Sequence, residues 1–183
     1  MQLPKFILFA GGVLLSALLS GCVLTGGVSP ADDSTIPSGP FATDDDALAA
    51  AESTYEKYLE IMSATMRGDE NGNRLGEVAM DPLLVGSVDV LIRSANAGNR
   101  STGTVTGSDY VLRDYSPAGE PASIITIQMC RDVSQSHTYD SDGELLVRSV
   151  APDRSTMEVT FGYDYERKRL LASGNQILDT GPC

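Results

Sequence analysis

The chain has 183 residues, and its 13 Lys and Arg residues against 25 Asp and Glu residues give a formal net charge of -12. So acidic a surface repels phosphate backbones, which argues against a nucleic acid partner. Tryptophan is absent and aromatic residues make up 6% of the chain, so we expect a core built from Leu, Ile, Val and Met.

The first segment has the order of a secretory signal peptide. An apolar run from Phe6 to Leu19 follows the N-terminal amine and Lys5, and it ends in small residues. A short positive region, an apolar stretch and a small-residue cleavage site define such a signal. A membrane-spanning helix needs roughly 20 apolar residues, and this run is shorter. We therefore predict that residues 1–21 are a signal peptide.

The end of this segment, Leu19-Ser20-Gly21-Cys22, resembles a bacterial lipobox. The resemblance implies that Cys22 becomes the first mature residue and carries a diacylglyceryl thioether, with further acylation by a fatty acid such as palmitate. Two or three acyl chains give lasting membrane attachment. The expected location is the extracytoplasmic face of the cell membrane, and the mature chain would have 12 basic and 25 acidic residues, a charge of -13.

The stretch after Cys22 predicts a tether. Residues 23–42 read VLTGGVSPADDSTIPSGPFA, which is rich in Gly, Ser, Pro and Asp and has no apolar periodicity. Segments of this composition behave as disordered linkers. We expect residues 22–42 to hold a single domain, residues 43–183, away from the bilayer.

The domain is predicted to open with a helix from Ala47 to Arg67. Thr43 or Asp44 would cap it, and the acids of residues 44–46 would lie at its positive end, which we favour over a metal site. Gly68 is typical of a helix C-terminus. An apolar stripe recurs at helical spacing, and we expect it in the core; it comprises Leu48, Ala51, Tyr55, Leu59, Met62 and Met66.

Two further helical segments are predicted before the spacing of apolar residues changes from that of a helix to that of a strand. The sequence from Asp69 to Asn73 has its glycine out of place for a calcium loop and is expected to form a turn. A weaker helix is predicted over residues 74–80. Asp81 is expected to cap a third helix, with Pro82 at its first position, that ends near Gly98. Its predicted buried face consists of Leu84, Val88, Leu91, Ile92 and Ala95.

In the second half of the chain, apolar and polar residues alternate with a period of two, which predicts strands. Strands are expected over residues 102–115, 122–133, 155–165 and 169–178, with a less regular connection over 134–154. Helices followed by strands predict an α+β fold, in which N-terminal helices pack on a curved, largely antiparallel sheet.

The strand order bears on the two remaining cysteines. In an antiparallel meander, the strands at 122–133 and 169–178 run in the same direction, so Cys130 and Cys183 would lie at the same edge of the sheet. With Cys22 lipidated, an exported protein is expected to join this pair as a disulfide. The alternative is a buried, unreacted Cys130 and a free terminal Cys183.

Helices followed by a long curved sheet resemble the cone-shaped fold of the nuclear transport factor two and ketosteroid isomerase superfamily. More narrowly, the chain resembles a group of uncharacterised actinobacterial lipoproteins, through the tether, the tyrosine-containing first helix, the sequence Cys130-Arg131-Asp132 and the terminal Pro182-Cys183. The superfamily resemblance implies a cavity at the open end of the cone, where its enzymes place an Asp, Tyr or His.

Two residues are candidates for a polar site in that cavity. Asp132 is either a strand-end carboxylate beside the disulfide or a catalytic base, and His137, the one histidine, lies in a polar connection. No catalytic set, metal-ligand set or cofactor motif is predicted. The favoured function is a binding or accessory module for an envelope protein or small ligand. The alternatives are a small-molecule isomerase, dehydratase or hydrolase, and a structural homodimer, which a large exposed apolar sheet face would favour.

Overall fold

The computed structural model describes residues 39–117, 124–147, 152–179 and 183. The predicted signal peptide, Cys22 and the tether up to residue 38 lie outside the described residues. Two α-helices, α1 (Asp44–Arg67) and α2 (Leu83–Asn96), flank a 3-10 helix at Asn73–Glu77. No helix within the described ranges is long and apolar enough to cross a membrane. The strands follow as β1 (Arg100–Thr102), β2 (Thr106–Tyr115), β3 (Ile125–Asp132), β4 (His137–Tyr139), β5 (Arg154–Asp164) and β6 (Arg169–Asp179).

Helix α1 ends at Arg67 as predicted, but it begins at Asp44, three residues before the predicted start at Ala47. The Thr43 hydroxyl accepts a hydrogen bond from the Asp46 amide at 3.1 Å, which satisfies one of the free N–H groups of the first turn. Gly68 adopts a left-handed conformation with φ of 83°, and its N–H bonds back to the last turn. The acids of residues 44–46 lie in the first turn, where the helix dipole favours negative charge.

The main sheet is an antiparallel meander with the strand order β2-β3-β5-β6. Strand β1 pairs instead with β4 in a separate two-stranded sheet. The predicted strand over residues 102–115 is therefore divided, and the predicted irregular connection contains the short strand β4. The α+β fold, with helices packed against an antiparallel sheet, agrees with the sequence prediction.

The core lies between α1 and the inner face of this sheet. On β3, Ile125, Ile127 and Met129 alternate with more exposed residues, as a strand with one buried face must. Their register partners on β5 are buried as well. The helix contributes two tyrosines in addition to aliphatic side chains. The largest buried members of the core are Tyr55, Ile61, Leu75, Ile124, Ile125, Ile127, Met129, Val159 and Phe161.

Phe41 falls within the range predicted as tether, yet it packs on the domain. Its backbone N–H and C=O both bond to the Tyr115 hydroxyl, at 3.1 and 2.9 Å. Its ring also meets the edges of Tyr115 and Tyr163, with centroids 6.0 Å apart in both pairs. The ordered part of the domain thus includes residues just before the α1 cap.

Helix α2 differs from its prediction in which side it buries. Val88 and Ile92 are 40% and 51% exposed, and the buried residue of the helix is Ser87. At about 100° per residue, the side that faces the domain is rotated by roughly 80° from the centre of the predicted apolar stripe. Pro82, not Asp81, is the N-cap, and it makes no side-chain cap bond. Periodicity detects an apolar stripe, but it does not show which neighbour covers it.

The Sγ atoms of Cys130 and Cys183 lie 2.03 Å apart, at bonding distance, as the strand order predicted. Cys130 pairs in register with Thr156 on β5, and Thr156 pairs with Asp179 on β6. Because neighbouring strands lie about 4.8 Å apart, β6 ends level with Cys130 and about 10 Å away. The disulfide thus fixes Cys183 to the central strand β3.

Candidate binding cavity

A cavity of about 190 Å³ opens between α1, α2, the loop after β1 and the sheet. Its walls combine aromatic and apolar side chains with a few polar groups that converge on one space, which is the usual composition of a small-molecule site. Among the described residues that line it, one, Arg131, is charged. The lining consists of Tyr55, Tyr58, Leu59, Met62, Ser63, Met66, Val90, Ser101, Gly103, Val105, Arg131, Ser136 and Asn175.

The two tyrosines of the wall are fixed by neighbours on other elements. The rings of Tyr55 and Tyr58 stack with centroids 5.3 Å apart. Asn175 of β6 donates from Nδ2 to the Tyr55 hydroxyl at 3.0 Å. The hydroxyls of Tyr58 and Ser87 lie 2.8 Å apart, so this pair connects α1 to α2.

The Ser87 hydroxyl also contacts the Leu83 carbonyl at 2.8 Å. Serine has one hydroxyl hydrogen, and when it is donated to Leu83, the Tyr58 hydroxyl must donate to Ser87. Both tyrosine hydroxyls are therefore engaged by the protein and held in fixed positions at the cavity wall.

Burial raises the pKa of Tyr55 and of Tyr58 above the usual value for tyrosine, because an apolar surrounding disfavours the phenolate. The Arg131 guanidinium acts on both hydroxyls in the opposite direction and lowers each pKa in part. No carboxylate enters the electrostatics of either tyrosine among the described residues. Among the described charged groups that act on these two tyrosines, Arg131 is thus the one that contributes, and its charge is positive.

Arg131 reaches the cavity through its position on β3. Ile127 and Met129 face the core, and strand alternation places Arg131 on the same face. Its register partners are the small residues Gly107 on β2 and Ser155 on β5. The space above Gly107 is filled by the Tyr110 hydroxyl end and the Met129 tip, so Arg131 lies on this face beside those two side chains.

The Nε atom of Arg131 is buried and has no hydrogen-bond partner among the described residues. The ion pairs recorded for those residues do not include Arg131. Buried polar groups almost always have partners, and a buried N–H of a cation is costly to leave without one. Arg131 therefore has a buried donor that the described part of the chain does not use, and the residue itself lines the cavity.

A second space adjoins the cavity beneath α2. It measures about 360 Å³ and shares Tyr58, Met62, Val90 and Asn175 with the first. Its remaining lining residues come from the start of α2 and from Gly174. The two spaces thus share part of their walls between α1 and α2.

A larger space, about 590 Å³, lies on the other side of α2 against the end of α1. Its lining is mainly the turn after α1 together with Val88, Leu91, Ile92 and Ala95 from the exposed apolar side of α2. Buried polar groups do not converge there within the described residues, so the smaller cavity is the better candidate site.

The two residues predicted for a polar site lie elsewhere. Asp132 accepts a hydrogen bond from the Ser134 amide at 2.8 Å, which is the main cause of the lowered pKa of its carboxyl group. It also lies 3.7 Å from Nε of Arg154. Asp132 thus closes the turn after β3, next to the disulfide. His137 is exposed on β4 and pairs in register with Thr102. Neither Asp132 nor His137 lines the cavity.

Sequence reasoning missed Arg131, the residue directly before Asp132. The signal was present, because the alternation of Ile125, Ile127 and Met129 continues to position 131 and places an arginine on a buried face. Tyr55 was predicted as core and is buried, whereas Tyr58 and Asn175 were not singled out. The contribution of Asn175 depends on a pairing 120 positions apart, which periodicity cannot predict.

Within the described ranges, no three His, Cys, Asp or Glu residues cluster closely enough to hold a metal ion. The described lining of the cavity has neither a carboxylate nor an imidazole. It offers one cationic donor, fixed hydroxyl and amide groups and an apolar wall.

Comparison with known proteins identifies a class of fold for this chain but no protein family. No protein-family model matches the chain, and no curated protein matches it. Among solved structures, the chain is similar to the crystal structure of the intermembrane space region of the chloroplast protein ARC6, with a TM-score of 0.50 and 14% sequence identity. The similarity covers 72% of this chain and 95% of that one. At this identity, the likeness shows a related α+β fold alone.

Proposed function

We propose that the protein is a lipid-anchored binding module on the extracytoplasmic face of the cell membrane, and that the cavity between α1, α2 and the sheet holds its ligand. The single observation that carries the binding role is the buried, unpartnered Nε of Arg131 at the wall of a largely apolar cavity. The lipobox resemblance at Leu19-Ser20-Gly21-Cys22 supports the anchor.

The chemistry of the described wall favours binding over catalysis. General acid-base catalysis needs a group that titrates near the working pH. The titratable groups of the described wall are two tyrosines with raised pKa values and an arginine. These groups hold their protonation states at neutral pH, so they suit recognition better than proton transfer.

The outer face of the main sheet gives little support to a homodimer formed through that face. The residues directed outward are mainly polar, and Gln176 donates from Nε2 to Oε1 of Glu158 at 2.7 Å across this face. A stable homodimer usually buries an apolar surface. The outward residues of the central strands include Thr126, Gln128, Thr156, Glu158 and Thr160.

The binding role is tested by closing the cavity. Val90 is 41% exposed and lines both joined spaces, so Val90→Trp adds bulk there without overfilling the core. Val111, which is 45% exposed on β2 and absent from these linings, is the matched control. The full-length wild type and both variants are exposed to a small-molecule extract of the native envelope, washed and analysed by mass spectrometry for retained compounds.

We expect a compound that is retained by the wild type and by Val111→Trp but not by Val90→Trp. Retention of the same compounds by all three proteins, or by none, would contradict a ligand site in this cavity.

The anchor has its own test. Metabolic labelling with radioactive palmitate should mark the wild type and Cys183→Ala, whereas Cys22→Ala should carry no label. A labelled Cys22→Ala protein would refute lipidation at this residue.

A further inference from the structure

The Arg131 guanidinium points to the chemical class of the ligand. Arginine stays protonated at all physiological pH values, and no ion pair among the described residues compensates this charge. A ligand that carried a neutral acceptor would satisfy the Nε donor but leave the charge uncompensated. An anionic ligand would satisfy both.

The number of cations in the cavity limits the charge of that anion. Arg131 is the one charged side chain in the described lining. The Tyr55 hydroxyl, which accepts from Asn175, keeps its own O–H as a donor without charge. A phosphate dianion is normally bound by more positive charge or by a helix N-terminus. A single planar guanidinium instead matches a carboxylate, which it can bind through two parallel hydrogen bonds.

The walls beyond Arg131 define the rest of the ligand. Met62 and Val90 line both the cavity and the adjoining space beneath α2, so an apolar chain that leaves the carboxylate would pass along thioether and aliphatic surface. The two spaces, of about 190 and 360 Å³, suit a narrow molecule better than a bulky one.

From these features we propose that the cavity binds a small monocarboxylic acid with an apolar body, whose carboxylate pairs with Arg131 and whose body lies between α1 and α2. This inference rests on the proposed binding function and gives it a ligand class. The stacked Tyr55 and Tyr58 form the wall beside the carboxylate, and their hydroxyls are held by Asn175 and Ser87.

The test compares octanoate with octanamide, which has the same tail but no charge. The full-length protein is held in nanodiscs of zwitterionic phospholipid, and binding is measured by calorimetry against empty nanodiscs. The wild type should bind octanoate at least roughly ten-fold more tightly than octanamide, because a hydrogen bond to a charged group is worth at least that factor.

Arg131→Gln should bring the two affinities together, and Arg131→Lys, which keeps the charge but loses the planar donor pair, should fall between. Arg93→Gln, at an exposed position on α2 outside these linings, is the matched control and should keep the preference. Because Nε of Arg131 has no partner to lose, Arg131→Gln should unfold at the same urea concentration as the wild type or a higher one.

Three results would overturn the inference. Equal affinity of the wild type for octanoate and octanamide would leave an apolar binding cavity but remove the carboxylate site. An undiminished preference in Arg131→Gln would place the carboxylate elsewhere. Binding of neither probe would reject this ligand class, and the extract experiment with Val90→Trp would then decide separately whether the cavity binds any ligand.

Discussion

The amide of Asn175 on the last strand donates a hydrogen bond to the hydroxyl of Tyr55 on the first helix, at 3.0 Å. This bond joins residues 120 positions apart at the wall of the candidate cavity. It fixes a side chain that is otherwise surrounded by the core, since the Tyr55 ring stacks on Tyr58 and meets the edge of Phe161. Tyr55 therefore belongs both to the core and to the cavity wall.

Tyr55→Phe should lower the free energy of unfolding by about 1 kcal/mol, because it removes this hydrogen bond while the ring keeps its packing. Asn175 is exposed and can bond to water instead, which keeps the cost modest. Tyr165→Phe, at a tyrosine that is 57% exposed, is the control and should change stability by less than about 0.5 kcal/mol. Urea unfolding followed by circular dichroism measures both, and equal effects of the two changes would show that the Asn175 bond adds no stability.

Ser87→Ala should loosen α2 without a comparable effect on the sheet. Ser87 is the buried residue of this helix, and its hydroxyl contacts Tyr58. The lost bond should make exchange of the α2 amides roughly five-fold faster, which corresponds to about 1 kcal/mol of local stability. Hydrogen exchange resolved by residue provides the measurement, and Ser94→Ala, at a half-buried position on the same helix, is the control. A uniform acceleration of α2 and the sheet would mean that α2 does not open separately.

The sequence predicted those features that depend on local chemistry. The Thr43 cap, the Gly68 terminus and the alternation along β3 are each determined by residues close together in the chain, and the structure shows all three. The pairing of Cys130 with Cys183 was also accessible, because strand direction follows from counting turns in a meander.

The sequence did not predict features that depend on tertiary neighbours. The exposed side of α2 includes Val88 and Ile92. The helix packs on the domain through buried Ser87 and through Leu84 and Leu91, so only part of the predicted apolar stripe is covered. The cavity depends on Asn175 and Arg131, which converge with α1 only after the sheet has formed. Secondary-structure propensity and apolar periodicity depend on residues close in sequence, so they do not predict such contacts. For that reason the sequence indicated Asp132 and His137 as candidate site residues instead.

Loss of the disulfide should destabilise the domain substantially. Cys130 and Cys183 are separated by 53 residues, and closing a loop of that length is worth about 4 kcal/mol in the chain-entropy model. Cys183→Ser should therefore unfold at a clearly lower urea concentration than the wild type, and a reducing agent should lower the wild type to the same value. Under reducing conditions, the wild type and the variant should unfold at the same urea concentration. A wild-type unfolding transition that does not respond to the reducing agent would count against a stabilising disulfide.

Asp132→Asn should alter how stability depends on pH. The Ser134 amide lowers the pKa of the Asp132 carboxyl group in the folded protein, so the ionised form stabilises the fold. This contribution is complete above the unfolded pKa of about 3.9 and is lost as pH falls through the lowered folded value. The difference in unfolding free energy between wild type and variant should thus be constant near neutral pH and shrink below about pH 4. Asp89→Asn, at an exposed position on α2, is the control. A difference in unfolding free energy between wild type and Asp132→Asn that grows toward low pH would contradict this prediction.

Gly103→Ala should be far more damaging than Gly143→Ala, although both glycines adopt left-handed conformations, with φ of 71° and 85°. A Cβ at Gly143 would meet nothing within 4 Å, so that change should cost only the backbone strain of about 1 kcal/mol. A Cβ at Gly103 would lie 1.7 Å from the Gln135 carbonyl oxygen, and the loop at the cavity wall would have to move. The Gly103 carbonyl also accepts a hydrogen bond from Arg67 at 2.9 Å, which that movement would strain. We expect a total cost of about 3 kcal/mol or more for Gly103→Ala, measured by urea unfolding, and equal costs for the two substitutions would show that this close approach is not required.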